Sequence, residues 1–249
     1  MAKPIGDART HAGPLRLTIL YDNIALRPDL SADHGFACLV RTAHTTGLFD
    51  TGRQGDILLR NARGLGVDFR ELDWIALSHA HHDHVGGLDE VLSGVERAQV
   101  ILPAGFPASI KRRVLAAGKA VVEIEAPTEI APGIWLTGPL PDGPTVEQAL
   151  VAVQGNGQVL LTGCSHPGIV KIAESVMQQW PGPIQLVIGG MHLMDQSKTA
   201  VRQIVGRLQE LCVERVAPLH CTGPAAQQLF ADAYGQKYIS GGVGTVLEL

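Results

Sequence analysis

The run LSHAHHDHVGGL, residues 77–88, places His79, His81, His82, Asp83 and His84 within six positions, directly behind the apolar stretch WIALS. Imidazole and carboxylate are the donors that a divalent transition ion takes, at about 2.0–2.2 Å and in four- or five-coordinate geometry. In a tight loop His79 and His81 can aim at one point, and Asp83 and His84 at a second point beside it. Two ions about 3.5–4 Å apart would clamp a water, lower its pKa and polarise a substrate oxygen. A lone histidine is more often a cap or a solvated loop residue, but this spacing behind a strand favours ligation. His82 breaks the alternation and is expected to face away. His11 is expected in a tail and His44 in a hairpin turn.

Two ions need more donors than one loop holds, and other apolar runs end in a similar way. GLFDTG ends on Asp50, VLLTGCSHPG carries Cys164 and His166, LVIGGMHL carries His192, and RVAPLHCTG carries His220. Strand ends and the loops after them are where α/β folds gather polar groups for chemistry. His166 and His220 are available to complete the two shells, with helix capping as the competing reading for each. The glycine-rich stretches GGVGTV and GRQGD lack the spacing and setting of a phosphate-cradling loop.

Bringing such loops together requires many short elements. Runs rich in Val, Ile, Leu and Thr, bounded by Gly, Pro or Asp, predict strands over 15–22, 36–42, 45–50, 73–78, 98–102, 120–125 and 133–137. Further strands are predicted over 149–154, 158–162, 184–188, 214–218, 236–240 and 243–248. Helical spacing of apolar residues marks 54–65, 106–117, 167–180, 197–212 and 223–234, with Val201, Ile204, Val205, Leu208 and Leu211 on one face of the fourth. This order fits an α/β protein of two mixed β-sheets packed face to face and flanked by helices, a four-layer αββα sandwich. A mixed doubly wound sheet is the competing arrangement. Residues 1–14 are expected to form a flexible N-terminal tail and 15–249 a single domain.

Bulk composition narrows the partners. The 249 residues are 45% hydrophobic, enough to bury a sizeable core, with 29 Gly and 15 Pro suited to many tight turns. The net charge of −4, with thinly spread basic residues, leaves no footprint for a nucleic-acid backbone. No run approaches the ~18 apolar residues of a membrane span. Four scattered cysteines without a CxxC pair point to a reduced, cytoplasmic protein. The expected partner is a small-molecule substrate, with neither nucleic acid nor membrane. Oligomeric state is left open.

SHAHHDHVGGL resembles the H-x-H-x-D-H signature of the metallo-β-lactamase superfamily, LFDTG resembles its first motif, and PLHCTG its last. LTILYDN, ADHGFACLV, TGCSHPGIV, GGMHL and HCTG together resemble the dihydropterin–ribofuranosylaminobenzene-phosphate synthase-like branch, over nearly the whole chain from about residue 15. The resemblance implies a dinuclear centre of two divalent ions, Zn2+ first, with Mn2+ or Fe2+ as alternatives. His79 and His81 would serve one ion, and Asp83, His84 and His220 the other. Asp50 would orient a ligand histidine. One departure stands out: residues 85–163 hold no histidine, and Cys164 occupies TGC where many relatives read TGD. His166 is therefore expected to supply the missing nitrogen to the first ion. Cys164 is expected to bridge, bind one ion or lie beside it, against the alternative of an inert buried thiol.

The expected activity is that of a metal-dependent hydrolase. Metal-bound hydroxide, held by Asp83, attacks an ester-like bond of the phosphodiester or carboxylic class, and His192 acts as general acid or substrate contact. For His192 a backbone-bonded turn residue is the competing reading. Asn23 and His34 are expected to line the substrate pocket, and loops 24–34 and 139–148 its rim. Thioesters and lactones are alternative substrates, and a catalytically weak metal-binding relative is the rival reading. Redox chemistry at two irons is disfavoured, because those relatives resemble H-x-E-x-D-H where this chain has His81, and because the chain has no room for their flavin domain.

Overall fold

Most strands carry apolar residues at consecutive positions, so both of their faces must be covered. The computed structural model describes residues 11–140 and 145–249. It opens with β1 (Arg16–Tyr21), β2 (Ala37–Arg41), β3 (Thr46–Phe49), β4 (Trp74–Ala76), β5 (Gln99–Pro103) and β6 (Val121–Ile124). Between and after them lie α1 (Gly55–Gly64), α2 (His82–Val85), α3 (Leu88–Gly94) and α4 (Ala108–Ala116). The second half holds β7 (Thr128–Ala131), β8 (Ile134–Leu136), β9 (Leu150–Gln154), β10 (Gly157–Thr162), β11 (Ile184–Gly190) and β12 (Val216–Leu219). Its helices are α5 (Ile169–Gln179), α6 (Lys198–Glu210) and α7 (Pro224–Tyr234), before a last strand, β13 (Val246–Glu248). One sheet runs β13-β1-β2-β3-β4-β5-β6 and the other β12-β11-β10-β9-β8-β7.

Three apolar layers separate four layers of structure. Leu17, Ile19, Val40 and Phe49 of the first sheet meet Leu150, Val159, Leu161 and Ile188 of the second. On the outer face of the first sheet, Leu20, Leu39 and Leu48 pack with Leu58, Leu88 and Val114 of the helices. On the outer face of the second, Val151, Leu160 and Val187 pack with Ile172, Val205, Leu208 and Phe230. The period-2 alternation is intact: Val40 and Leu161 face inward while their neighbours Leu39 and Leu160 face the helices. The αββα sandwich is therefore the architecture. In α6, Ser197 caps the Ala200 N–H, and Val201, Val205 and Leu208 are buried.

The direction of the strands decides where polar groups collect. β3, β4, β5 and β6 are mutually parallel, as are β10, β11 and β12. β1 shares the direction of β3, because both are antiparallel to β2. β9 is antiparallel to β10 and so begins where β10 ends. The carboxyl ends of the parallel strands form one edge, the usual place for a site in such sheets.

Several local expectations need correcting. Residues 236–240 form no strand: Gly235–Lys237 is a 3-10 turn, and Tyr238 makes only an isolated bridge to Val216 before the chain turns over Gly242–Thr245. β7 was not anticipated, nor were the short helices α2 and α3. Residues 12 and 13 are not a loose tail. Ala12 is buried, its N–H donates to Val153 O at 3.0 Å, and Gln154 Nε2 donates to Gly13 O. Residues 1–10 of the expected tail lie outside the described residues. Among the described residues no helix is long and apolar enough to cross a membrane.

Candidate metal centre

Four of the strands that end at this edge, β3, β10, β11 and β12, turn sharply within three residues of their ends. Asp50 after β3, Ser165 after β10, His192 after β11 and His220 after β12 all have positive φ, at 61°, 66°, 52° and 47°. Such backbone costs a non-glycine residue roughly 1–3 kcal/mol and persists only where surrounding contacts enforce it. Here they do: Ser165 Oγ donates to Gly190 O at 2.7 Å, and His220 N–H donates to Asp22 Oδ2 at 2.9 Å. Close approach of the sheets also demands a glycine, since a Cβ on Gly163 would lie 2.2 Å from Ser78 Oγ.

One donor set comprises His79, His81 and His166, whose ligand nitrogens lie within 4.8 Å of one another. Neighbouring groups fix two of the tautomers. Ser78 Oγ donates to Asp50 Oδ2 at 2.7 Å, so it accepts from His79 Nδ1–H at 2.9 Å. That leaves His79 Nε2 as a lone pair, buried and without any hydrogen-bond partner. Burial pushes the His79 imidazole well below its ordinary range, so it stays neutral, as a ligand must. His166 Nδ1–H donates to Glu147 Oε2 at 2.8 Å, again freeing Nε2. Glu147 also accepts the backbone N–H groups of Cys164, Ser165 and His166 at 3.0, 2.7 and 2.8 Å. Burial pushes this carboxyl up, but the hydrogen bonds from the ring and backbone of His166 outweigh it and hold Glu147 at about 2.

The second set comprises Asp83, His84, Cys164 and His220. His84 Nδ1–H donates to Asp50 Oδ2 at 2.7 Å, and His220 Nδ1–H donates to Asn23 Oδ1 at 2.9 Å. Their two Nε2 atoms face each other at 3.2 Å, with Cys164 Sγ 3.2 Å from that of His84. Asp83 Oδ2 stands 3.2 Å from His220 Nε2 and 3.5 Å from His84 Nε2. Converging lone pairs and a carboxylate attract a cation. They attract a proton in the same sense: burial pushes His220 down, but the hydrogen bond to Asp83 carries it above the ordinary imidazole range. Burial and the neighbouring His220 charge hold His84 at about 3. Burial raises Asp83, yet His220 and His84 bring it far below the usual carboxylate range. His34 Nε2 lies 3.2 Å from Asp83 Oδ2, and Asn23 Nδ2 reaches His34 Nδ1 at 3.3 Å, which orients the Asp83 carboxylate. Both sets have the chemistry of a divalent-cation site: imidazole, carboxylate and thiol donors with tautomers fixed from behind.

The structure thus brings together His79, His81 and His166 at one point and Asp83, His84 and His220 at another. Cys164 stands with the second set. Asp50 backs His84 directly and His79 through Ser78. His192 and His34 line a cavity of about 300 Å³ that opens on both sets. Asn23 does not line it; its amide is spent holding His220 and His34. His82 is exposed. The expected rim needs revision as well. Loop 24–34 contributes His34 alone, the described part of 139–148 contributes no lining residue, and 141–144 lie outside the described residues. Met194, Asp195 and Gln196 after β11 line the cavity instead. Glu147 and Ser78 were missed, since neither sits in a spacing that signals chemistry.

A family model described as the Metallo-beta-lactamase superfamily matches residues 31–203. The 7,8-dihydropterin-6-methyl-4-(beta-D-ribofuranosyl)-aminobenzene-5'-phosphate synthase of Methanocaldococcus jannaschii is 24% identical, over 89% of this chain and 92% of its own length. An uncharacterized protein of the same organism is 29% identical over 93% of this chain and 99% of its own. A crystal structure described as a metal-dependent hydrolase of the beta-lactamase superfamily superposes with a TM-score of 0.79. It shares 30% identity and covers 94% of this chain and 99% of its own.

Proposed function

The chain belongs to the metallo-beta-lactamase superfamily, and from that premise we propose that it is a metal-dependent hydrolase cleaving an ester-like bond, phosphodiester or carboxylic, of a small molecule. Two divalent cations, Zn2+ first, would be held by His79, His81 and His166 and by Asp83, His84 and His220, with Cys164 beside the second. The observation that carries this reading is the pair of Nε2 atoms of His84 and His220, 3.2 Å apart with both Nδ1 protons committed elsewhere. Such cations supply Lewis acidity, acidifying a water and polarising a substrate oxygen.

The chain's own residues do the rest. Asp83 lines the cavity and offers its carboxylate to a water as hydrogen-bond acceptor, kept in place by His34. His192 stands on the cavity wall with its ring 4.6 Å from that of His166. The Cys221 hydrogen bond carries His192 above the ordinary imidazole range, the sense that suits a proton donor to the leaving group. Thioesters and lactones fit the same chemistry. Four free cysteines support a cytoplasmic protein. The M. jannaschii relative bears the name of a synthase of a dihydropterin compound, so synthesis of such a product is the reading to set against hydrolysis.

The test combines elemental analysis with a screen of chromogenic diesters, esters, thioesters and lactones. Metal content should approach two ions per chain, chelation should abolish turnover, and His81→Ala should remove one ion and the activity. Full turnover by a chelated, metal-free sample refutes the metal requirement. Silence across the whole screen, with both ions present, refutes the hydrolase.

A further inference from the structure

One cluster at the edge of the cavity adds two residues that neither donor set uses, His192 and Cys221. Cys164, His192 and Cys221 present two sulfurs and an imidazole nitrogen within 4.8 Å of one another. Cys221 is buried directly after the ligand His220, and Cys164 directly before the turn to His166. Three features hold the thiol of Cys221 in place. The His192 N–H donates to Cys221 Sγ at 3.3 Å, and Cys221 Sγ lies 3.6 Å from Cys164 O. Residue 190 is glycine, and a Cβ there would stand 2.7 Å from Cys221 Sγ. His192 itself takes its left-handed backbone at φ 52°, which puts its amide on the sulfur and its ring at the cavity. The thioether residue Met194 lines the same cavity.

We propose that Cys164, His192 and Cys221 form a third cation site, selective for a softer thiophilic ion such as Cu+ or Cd2+. Thiolate, thioether and imidazole are the donors that soft ions select, whereas carboxylate and carbonyl oxygen suit hard ones. The cluster contains no carboxylate, and its three donors all line the cavity, from which a fourth ligand can reach an ion held there. Cys164 serves as the shared sulfur, since it also belongs to the set of Asp83, His84 and His220. Binding displaces the two thiol protons to solvent, and a divalent ion such as Cd2+ compensates the two negative sulfurs that result. An ion there also occupies the His192 imidazole, so it competes with the proton-donor role given to that residue.

The probe is Cd2+. Reduced protein under inert gas is stripped of metal and titrated, following thiolate-to-cadmium absorption in the ultraviolet and bound cadmium after gel filtration. The unaltered chain should bind three Cd2+, with absorption still rising through the third equivalent. Cys221→Ser and His192→Gln should each bind two and lose that last rise; the His192 side chain is solvent-exposed, so its replacement leaves the core untouched. In His81→Ala the count should fall by one while the thiolate rise persists. No turnover is needed, so a chain without hydrolase activity still returns a count. Saturation at two equivalents in the unaltered protein, or three in both variants, overturns the third site. A Cys164–Cys221 disulfide that survives reduction and blocks the last equivalent overturns it as well.

Discussion

Replacing Glu147 with glutamine keeps the side chain's shape and removes its charge, which isolates what the buried carboxylate contributes. Four donors converge on its two oxygens, three from the backbone of residues 164–166 and one from His166 Nδ1. An amide has one acceptor oxygen, so two of these donors would face an NH2 group instead. The carboxyl is held from an ordinary 4.5 down to about 2 in a residue only 1% exposed. At about 1.4 kcal/mol per pH unit, that difference corresponds to roughly 3 kcal/mol of folding stability. The sign follows from the depression: the contribution is complete above pH 4.5, shrinks as pH falls, and is gone near pH 2. For a chain of this size, roughly 3 kcal/mol corresponds to about 6–12 °C in Tm. Metal-free protein, melted from pH 7 to pH 2.5, should show Glu147→Gln lower by that margin at pH 7 and converging on the unaltered chain in acid. The same variant should bind the His166-side ion about 10–100-fold more weakly, because its imidazole is no longer oriented. Equal melting at pH 7, with the same acid profile, would refute the reasoning.

Other perturbations separate the parts of the site. Asn23→Ala takes the acceptor from His220 Nδ1, so the second ion should bind about 10–100-fold more weakly while the first is unchanged in competition titrations. Gly163→Ala drives a Cβ to 2.2 Å from Ser78 Oγ and 3.0 Å from Asp50 Oδ2. It should cost about 1–3 kcal/mol in denaturant melts and lower metal content at both sets. Phe230→Ala empties a fully buried position on the inner face of α7, and should cost about 3–5 kcal/mol with metal stoichiometry intact.

What could be read from the chain and what could not divide along the distance over which each signal acts. The cluster from His79 to His84 is local: spacing within one loop reveals it, and the strand before it says where the loop sits. His166 and His220 were legible because each follows an apolar run of its own. Glu147 was not. Its carboxylate matters only because β9 runs antiparallel to β10, so the start of one strand meets the turn after the other. No periodicity encodes that meeting. Asn23 was placed at the right end of β1 and given the wrong task, since pattern cannot tell a residue facing the cavity from one behind a ligand. β7, with the sequence TEIA, escaped notice because it is the last strand of its sheet, where one neighbour suffices and polar residues are tolerated. The segment 236–240 failed in the opposite way. Its Tyr and Ile suit a strand, but it meets β12 at a single bridge.

Neither donor set belongs to one sheet. His79, His81, Asp83 and His84 hang from the end of β4, whereas His166, Cys164 and His220 hang from β10 and β12. An ion in either place is thus a rivet through both halves of the sandwich, resisting shear that the greasy layer between them opposes only weakly by itself. Resistance of this kind grows with free ion concentration, by about 1.4 kcal/mol per tenfold above the dissociation constant. Durability and chemistry in this molecule would then be set by the same supply of metal, and starvation for it would loosen the scaffold as it silenced the site.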